Sequence, residues 1–125
     1  MSLTALMTAA LLGQSAFSLA VETPSADPAV DVAYTELATG QSAAALRKLE
    51  SASGAAAQDP ATLINLGAAY SAAGQADKAA ASYRAAIDSP DRYMLELADG
   101  SWVDSRAAAR MALSNLQSRT ALASR

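Results

Sequence analysis

Cysteine and histidine are both missing from this sequence of 125 residues. Their absence excludes disulfide bonds, thiol chemistry, an imidazole general base and the usual nitrogen and sulfur ligands of zinc. The glycines Gly67, Gly74 and Gly100 stand alone, so no glycine-rich loop is present to hold a phosphate. The carboxylates between Asp88 and Asp104 are dispersed and lack the spacing of a calcium loop. We therefore predict a protein that is not an enzyme and needs neither a metal ion nor a cofactor.

Positive charge is also in short supply, because 9 Lys and Arg residues stand against 12 Asp and Glu residues. The formal net charge is −3, and the isoelectric point is near 4.7. A nucleic-acid-binding domain needs a basic surface that neutralises phosphates. We therefore expect no nucleic acid among the partners of this protein.

Charge is absent altogether from the apolar run Leu3–Val21. Small residues at Ser18 and Ala20 suit a signal peptidase, so we predict that residues 1–20 are a secretory signal peptide cleaved after Ala20. The run lacks the Lys or Arg that normally precedes such a segment, so an uncleaved membrane anchor or a buried helix are the alternatives. We expect a periplasmic or secreted protein, or one anchored in the inner membrane through this segment alone. Residues 21–26 have the polar composition of a linker.

The stretch Pro60–Asp91 has the pattern of two short helices folded against each other. Asp59 offers a cap for the first helix, Gly74 interrupts the pattern where the backbone must turn, and Pro90 ends the second helix. Apolar and small residues recur with a period near 3.6, which marks one face of each helix. These faces comprise Leu63, Leu66, Gly67 and Tyr70 in the first helix, and Ala79, Tyr83, Ala86 and Ile87 in the second.

This spacing resembles the tetratricopeptide repeat (TPR), a family whose units are antiparallel helical hairpins of about 34 residues. Leu63 stands where the family often has Trp, and Pro90 falls about one residue before the family's closing proline. The other pattern positions are matched in order by Leu66, Gly67, Tyr70, Ala79, Tyr83 and Ala86. The resemblance implies a non-catalytic module that binds a peptide or another protein. An unrelated hairpin in an alanine-rich chain is the alternative.

A partial copy of this unit precedes it. Asp27 is followed by Pro28 and offers a helix start, and Gly40 precedes Gly74 by 34 residues, the TPR period. The second helices of the two units align directly at this offset. The first helices align only with a one-residue shift, which places Tyr34 over Gly67. We therefore predict a single domain over 27–125 that contains a degenerate repeat over 27–58 and a repeat over 60–91.

The region after Pro90 departs from the helical pattern. Asp99-Gly100 separates two short alternating runs, which predicts a β-hairpin over 93–103 with a two-residue turn. A hairpin is marginal by itself, so we expect Trp102 and the leucines to rest on the helices. A loop, or a third repeat that begins near Trp102, is the alternative. Asp104 then offers an N-cap for a capping helix over 104–118, whose apolar stripe is Ala109, Ala112, Leu113 and Leu116.

The sequence thus predicts a mainly α fold, in which antiparallel helical hairpins form a short TPR-like array with a small C-terminal β-hairpin and a capping helix. From Arg106 onward every charged residue is basic. This basic segment suits an acidic partner or lipid head groups. The alternative is a solvated helix face that pairs loosely with Asp91, Asp99 and Asp104.

The resemblance also implies a binding site, because TPR proteins bind partners in a groove lined by the first helix of each repeat. Asn65 could hydrogen-bond a peptide backbone or a terminal carboxylate, although the first repeat lacks the residues that complete such a clamp, and a purely structural asparagine is the alternative. The implied groove residues are Ile64, Asn65, Ala68, Ser71 and Ala72. This face has few of the aromatic or Arg side chains that carry affinity, so we expect weak binding. The alternative function is a membrane-tethered structural protein that self-associates into a homo-oligomer through alanine-rich helix faces.

Overall fold

The computed structural model describes residues 33–97 and 99–124. Within them the fold is mainly α-helical with one small antiparallel sheet, as predicted. The predicted signal peptide, the linker and the helix start at Asp27 lie outside the described residues. The elements are α1 (Tyr34–Ala38), α2 (Ser42–Glu50), α3 (Ala55–Gln58), α4 (Pro60–Ala72), α5 (Ala76–Asp88), β1 (Met94–Glu96), β2 (Trp102–Asp104) and α6 (Ser105–Ala123).

Helix α4 is the centre of the described structure and contacts every other described helix. It begins where the sequence predicts, because the Asp59 carboxylate caps its first turn and Pro60 occupies the first helical position. Asp59 Oδ1 accepts hydrogen bonds from the amides of Ala61, at 2.9 Å, and Thr62, at 3.4 Å. The same oxygen accepts the hydroxyl of Tyr93 at 2.5 Å, so one carboxylate joins α4 to the segment that leads into β1.

Helices α1 and α4 end in the same way. The amide of Gln41 donates to the carbonyl of Glu36 at 2.7 Å, and the amide of Gln75 donates to the carbonyl of Tyr70 at 2.8 Å. Each bond closes around a glycine with positive φ, at 75° and 78°, a conformation that glycine adopts without the steric penalty of a Cβ. The same type of hydrogen bond is therefore found twice, 34 residues apart, and in both places it allows the next helix to fold back.

This hydrogen-bond register corrects the predicted alignment of the two first helices. The ends of α1 and α4 superpose at an offset of 34 residues with no shift, which places Ala33 over Gly67. The predicted one-residue shift, with Tyr34 over Gly67, is wrong. Ala33 has a left-handed backbone, with φ of 56°, and α1 begins immediately after it. The first unit therefore differs from the second at the start of its first helix.

The core consists of two clusters that share α4. The larger joins α4, α5, α6 and the hairpin through Ala61, Leu63, Ile64, Ala79, Tyr83, Ala86, Leu95, Leu97, Ala108, Ala109, Ala112 and Leu116. The smaller joins the α1–α2 unit to α4 through Ala33, Leu37, Ala45, Leu49 and Ala69.

The predicted hairpin is present, with Leu95 paired to Val103 at the centre of an antiparallel register. Leu95 and Leu97 are buried as expected, but the expectation for Trp102 is wrong, because its side chain is 51% exposed. Trp102 pairs with Glu96 and so lies on the opposite face of the sheet from Leu95. The loop is also longer than the predicted two residues: the amide of Leu97 donates to the carbonyl of Ser101, and the amide of Gly100 donates to the carbonyl of Leu97.

Helix α6 begins at the predicted cap and extends five residues beyond the predicted end at 118. The Asp104 carboxylate accepts hydrogen bonds from the amides of Arg106 and Ala107 at 3.0 and 3.1 Å. Asp104 Oδ2 also accepts a hydrogen bond from Arg92 Nε at 2.5 Å. This hydrogen bond from a cation is the largest of the effects that lower the pKa of the Asp104 carboxyl below its usual value. The predicted apolar stripe packs on the core, with Ala109, Ala112 and Leu116 buried.

We predict that Asp59→Ala lowers the free energy of unfolding by about 1–2 kcal/mol, because α4 loses its cap. The Tyr93 hydroxyl loses its acceptor in the same variant. Asp59→Asn keeps an acceptor oxygen and should recover most of the loss. Urea unfolding followed by circular dichroism measures both variants. An Asp59→Asn variant as unstable as Asp59→Ala would show that the oxygen does not act as the cap.

Candidate functional site

The predicted groove residues do not form one accessible surface. Ile64 and Asn65 are both 0% exposed, and Ile64 belongs to the larger core cluster. The prediction that Ile64 and Asn65 line a groove is therefore wrong, since a partner could not reach either side chain without rearrangement of the surrounding core. The physical reason is that α4 is enclosed on nearly all sides over its first turns, where every residue from Pro60 to Asn65 is buried.

The remaining three predicted residues lie at the carboxyl end of α4, where the helix emerges from the core. Ala68 and Ser71 are half-buried, and Ala72 is exposed. These side chains are small and uncharged, so they permit close approach of a partner backbone but supply no anchor that fills a pocket. The accessible part of the predicted site is therefore one short, weakly polar surface.

Tyr70 adds a polar contact beside this surface. Its hydroxyl donates to Glu50 Oε1 at 2.9 Å, and Lys78 Nζ lies 5.6 Å from the centre of its ring. Burial raises the pKa of the Tyr70 hydroxyl, and the hydrogen bond to Glu50 raises it further. The arrangement joins α2, α4 and α5 at the surface. Sequence spacing could not identify it, because Glu50 and Tyr70 come from different helices.

Close contact between Gly67 and Tyr83 sets the separation of α4 and α5. A Cβ placed on Gly67 would overlap the Tyr83 ring, with Cδ1 only 2.7 Å away. The ring is 3% exposed, so it has no free space into which to move. The small residue and the large aromatic side chain therefore form a matched pair, as their places in the sequence pattern predict.

Burial also changes the chemistry of two tyrosine hydroxyls. It raises the pKa of Tyr83 from 10.0 to about 12, and the positive charge of Arg119 acts in the opposite direction. Burial raises the pKa of Tyr93 too, and the hydrogen bond to Asp59 and the charge of that carboxylate act in the same direction. Both groups stay protonated at neutral pH, so neither serves as a general base there.

We predict that the protein loses stability as the pH rises above 10. The folded chain keeps the Tyr83 proton up to about pH 12, whereas the unfolded chain releases it near pH 10. The unfolded state then binds fewer protons, so the free energy of unfolding falls with pH, by roughly 3 kcal/mol for a shift of this size. Urea unfolding of wild type and Tyr83→Phe between pH 9 and pH 12 measures the effect. Equal pH dependence in the two proteins would contradict it.

A shallow groove of about 460 Å³ lies between α5 and the end of α6. Its floor is apolar, with Ala80 and Leu116 among its members, and its rim carries both Asp77 and Arg84. Opposite charges on one rim do not select a ligand of either sign. The sequence did not indicate this groove, since part of its lining, at Thr120, Ala121 and Ser124, lies beyond residue 118, where α6 was predicted to end.

Helix α6 carries a concentration of positive charge. Arg106, Arg110 and Arg119 are its charged residues, and it contains no Asp or Glu. The predicted pairing of this segment with Asp104 is not present, because Asp104 pairs with Arg92 instead. Arg106 donates to the carbonyl of Ser89 at 3.1 Å. Neither Arg110 nor Arg119 is part of an ion pair within residues 33–97 and 99–124.

Two general observations bear on function. The part of the chain that the structure describes brings no three Asp or Glu side chains together as metal ligands. No helix in the same part has both the length and the apolar character needed to cross a bilayer.

Comparison with family models, with curated proteins and with solved structures finds no match.

Proposed function

We propose that this protein is a non-catalytic interaction module of the TPR type that binds a peptide or another protein. The observation that carries the proposal is the 34-residue recurrence of the helix-ending hydrogen bonds, at Gln41 and again at Gln75. That period is the length of a TPR unit, and each such bond returns the chain into an antiparallel neighbour. A helical scaffold of this type functions through its surface.

The packing of the second unit supports the same proposal. Tyr83 fits against Gly67, and Ala79 and Ala86 are fully buried on the same side of α5. Small residues in these places let two helix backbones approach closely, and the aromatic ring fills the remaining space. This alternation of large and small residues supports the proposal, because it resembles the spacing of the TPR pattern.

The binding surface in this proposal is the accessible end of α4, formed by Ala68, Ser71 and Ala72. It excludes Ile64 and Asn65, which are buried. With few anchors available, the expected affinity is weak, and a second contact elsewhere on the protein would raise it. The proposed location is the periplasm or the exterior of the cell, supported by the uncharged apolar run Leu3–Val21.

Site-specific cross-linking in the source cells tests the proposed surface. A photoreactive amino acid at Ala72, on the exposed end of α4, should give a defined adduct with a partner protein. The matched control is the same amino acid at Ala85, which is exposed on α5. Introduction of Ser71→Arg should then reduce the Ala72 adduct. Identical adducts from both positions, or none from Ala72, would count against the surface.

Self-association is a second candidate function, favoured by the large apolar side chains that reach solvent. Each of them is about half exposed or more: Met94 at 49%, Trp102 at 51%, Met111 at 47% and Leu122 at 65%. A second copy of the chain could cover such residues. Light scattering over a range of concentrations decides the question, since a constant monomer mass would rule this candidate out.

A further inference from the structure

Each strand of the hairpin has one edge without a neighbouring strand, because the sheet within residues 33–97 and 99–124 consists of β1 and β2 alone. The amide of Leu97 donates to the carbonyl of Ser101, and the amide of Ser105 donates to the carbonyl of Tyr93. In an antiparallel ladder, residues that bond across the two strands alternate with residues whose N–H and C=O groups point away from the partner strand. Residues 93, 95 and 97 bond across to β2, so the alternate residues face the other way.

These alternate residues are Arg92, Met94 and Glu96, and we call them the free edge of β1. No described residue exchanges a hydrogen bond with the backbone of these three residues. Their side chains alternate with Leu95 and so lie on the outer face of the sheet, where Met94 is 49% exposed. Donors and acceptors repeat along this edge with the two-residue period of an extended chain. The ligand that matches them is therefore another β-strand.

The side chains of the free edge are self-complementary when two copies run antiparallel. They follow the order cation, apolar residue, anion. Pairing about a two-fold axis at Met94 places Arg92 of each copy opposite Glu96 of the other, which gives two ion pairs between opposed residues. An axis at Glu96 would bring two carboxylates together, and an axis at Leu95 would place Glu96 opposite Met94. Of these three registers, the first alone pairs the charges.

We propose that two copies of this chain join antiparallel along the free edge of β1, with the two-fold axis at Met94. Backbone hydrogen bonds and the two ion pairs connect the copies, and the strands form one four-stranded sheet in the order β2-β1-β1-β2. A sheet of this size is more stable than a separate hairpin, which is marginal in water. The inference rests on the second candidate function, self-association, and specifies its surface and its register.

Charge distinguishes this pairing from two others. The edge of β2 contains Trp102 and Asp104 but no cation, so a copy that paired there would gain no such ion pairs. A strand of an unrelated protein could match the backbone, but it would have to carry an anion and a cation at the matching positions, which a second copy always does. Arg92 can serve both Asp104 and the second copy, because it contacts Asp104 through Nε and its side chain is 58% exposed.

Exchange of the two charges between copies tests the proposal. Light scattering of the full chain should show a wild-type mass that rises towards that of a dimer as the concentration increases. Arg92→Glu alone and Glu96→Arg alone place like charges opposite each other, so each should weaken dimerisation at least about tenfold. An equimolar mixture of the two variants pairs opposite charges at both positions and should restore the dimer. Restoration would also show that both variants are folded.

Arg47→Glu and Asp77→Arg are the matched control variants. They make the same two changes of net charge at exposed positions of α2 and α5. Because these positions lie outside the free edge of β1, each control should dimerise within about threefold of the wild type, alone and in the mixture. Circular dichroism checks that every variant keeps its helix content.

A cysteine cross-link locates the two-fold axis. The chain has no cysteine of its own, so a single introduced thiol reports on one position. In Met94→Cys the two thiols lie at the axis, where the Cα atoms of a hydrogen-bonded antiparallel pair are about 5.5 Å apart. A short bismaleimide should therefore join two copies of this variant. Met111→Cys is the matched control, because Met111 is 47% exposed but lies on α6, and it should give little cross-linked dimer.

Specific outcomes would overturn the proposal. A wild type of constant monomer mass would end both this inference and the second candidate function. A dimer that survives both edge variants would leave self-association standing but assign it to another surface. A mixture that stays monomeric, or controls that lose the dimer as the edge variants do, would contradict the proposed register. The cross-link at Ala72 does not depend on β1, so the proposed surface on α4 can fail separately.

Discussion

Leu95→Ala is expected to lower the free energy of unfolding by about 2–5 kcal/mol, the range for the loss of a large aliphatic side chain from a core. Leu95 is 1% exposed, although it lies in a strand of only three residues. It belongs to the same cluster as Ile64 of α4 and Ala109 of α6. The variant would leave a cavity where the hairpin joins the helices, and it would remove the contacts that make a marginal hairpin stable.

Met94→Ala is the matched control, because Met94 precedes Leu95 in the same strand and is 49% exposed. It removes a side chain of similar size and should cost no more than roughly 0.5 kcal/mol, as is usual at the surface. Urea unfolding followed by circular dichroism, with equal slopes required for all variants, measures both changes. A similar loss in the two variants would show that the hairpin is not part of the core.

Local signals predicted the starts of α4 and α6 and the turn after α4, because a cap or a turn depends on neighbouring residues alone. Asp59 and Asp104 both accept the amide hydrogen bonds expected of helix caps. Gly74 turns the chain between α4 and α5 with the positive φ that the pattern requires. The end of α6 was less predictable, since no glycine or proline follows residue 118 to stop the helix.

The accessible surface of α4 could not be predicted by the same reasoning. Periodicity indicates which residues share a helix face, but it does not show how many neighbouring elements cover that helix. Ile64 and Asn65 were expected at the surface and are buried, because α4 contacts all of the other described helices. A buried helix has apolar or small residues on several faces, and the run from Pro60 to Ala69 contains only uncharged residues.

The ion pairs between different helices and strands could likewise not be predicted from the sequence. Asp104 was expected near the basic helix that it caps, yet its charged partner is Arg92 on the segment before β1. The antiparallel register of β1 and β2 explains this ion pair. It places Met94 opposite Asp104 and thereby brings Arg92, two residues before Met94, close to the Asp104 carboxylate. Within residues 33–97 and 99–124, Asp104 therefore forms its ion pair with Arg92 and not with an arginine of α6.

Tyr83→Ala is expected to cost about 3–5 kcal/mol, because it removes a buried aromatic ring from the contact between α4 and α5. Gly67→Ala should by itself cost about 1–3 kcal/mol, since the new methyl group overlaps that ring and forces the helices apart. Alanine is the better helix former by about 1 kcal/mol, so the loss would occur in spite of a gain in helix propensity.

Combination of the two changes separates the contributions to this contact. Once Tyr83 is alanine, the methyl group at position 67 meets no ring, and only the gain in helix propensity remains. Gly67→Ala should then stabilise the protein by up to about 1 kcal/mol, so that its effect changes sign between the two backgrounds. Tyr83→Leu offers a milder background if Tyr83→Ala does not fold. An unchanged cost of Gly67→Ala in these backgrounds would mean that backbone geometry, rather than the Tyr83 ring, requires glycine at this position.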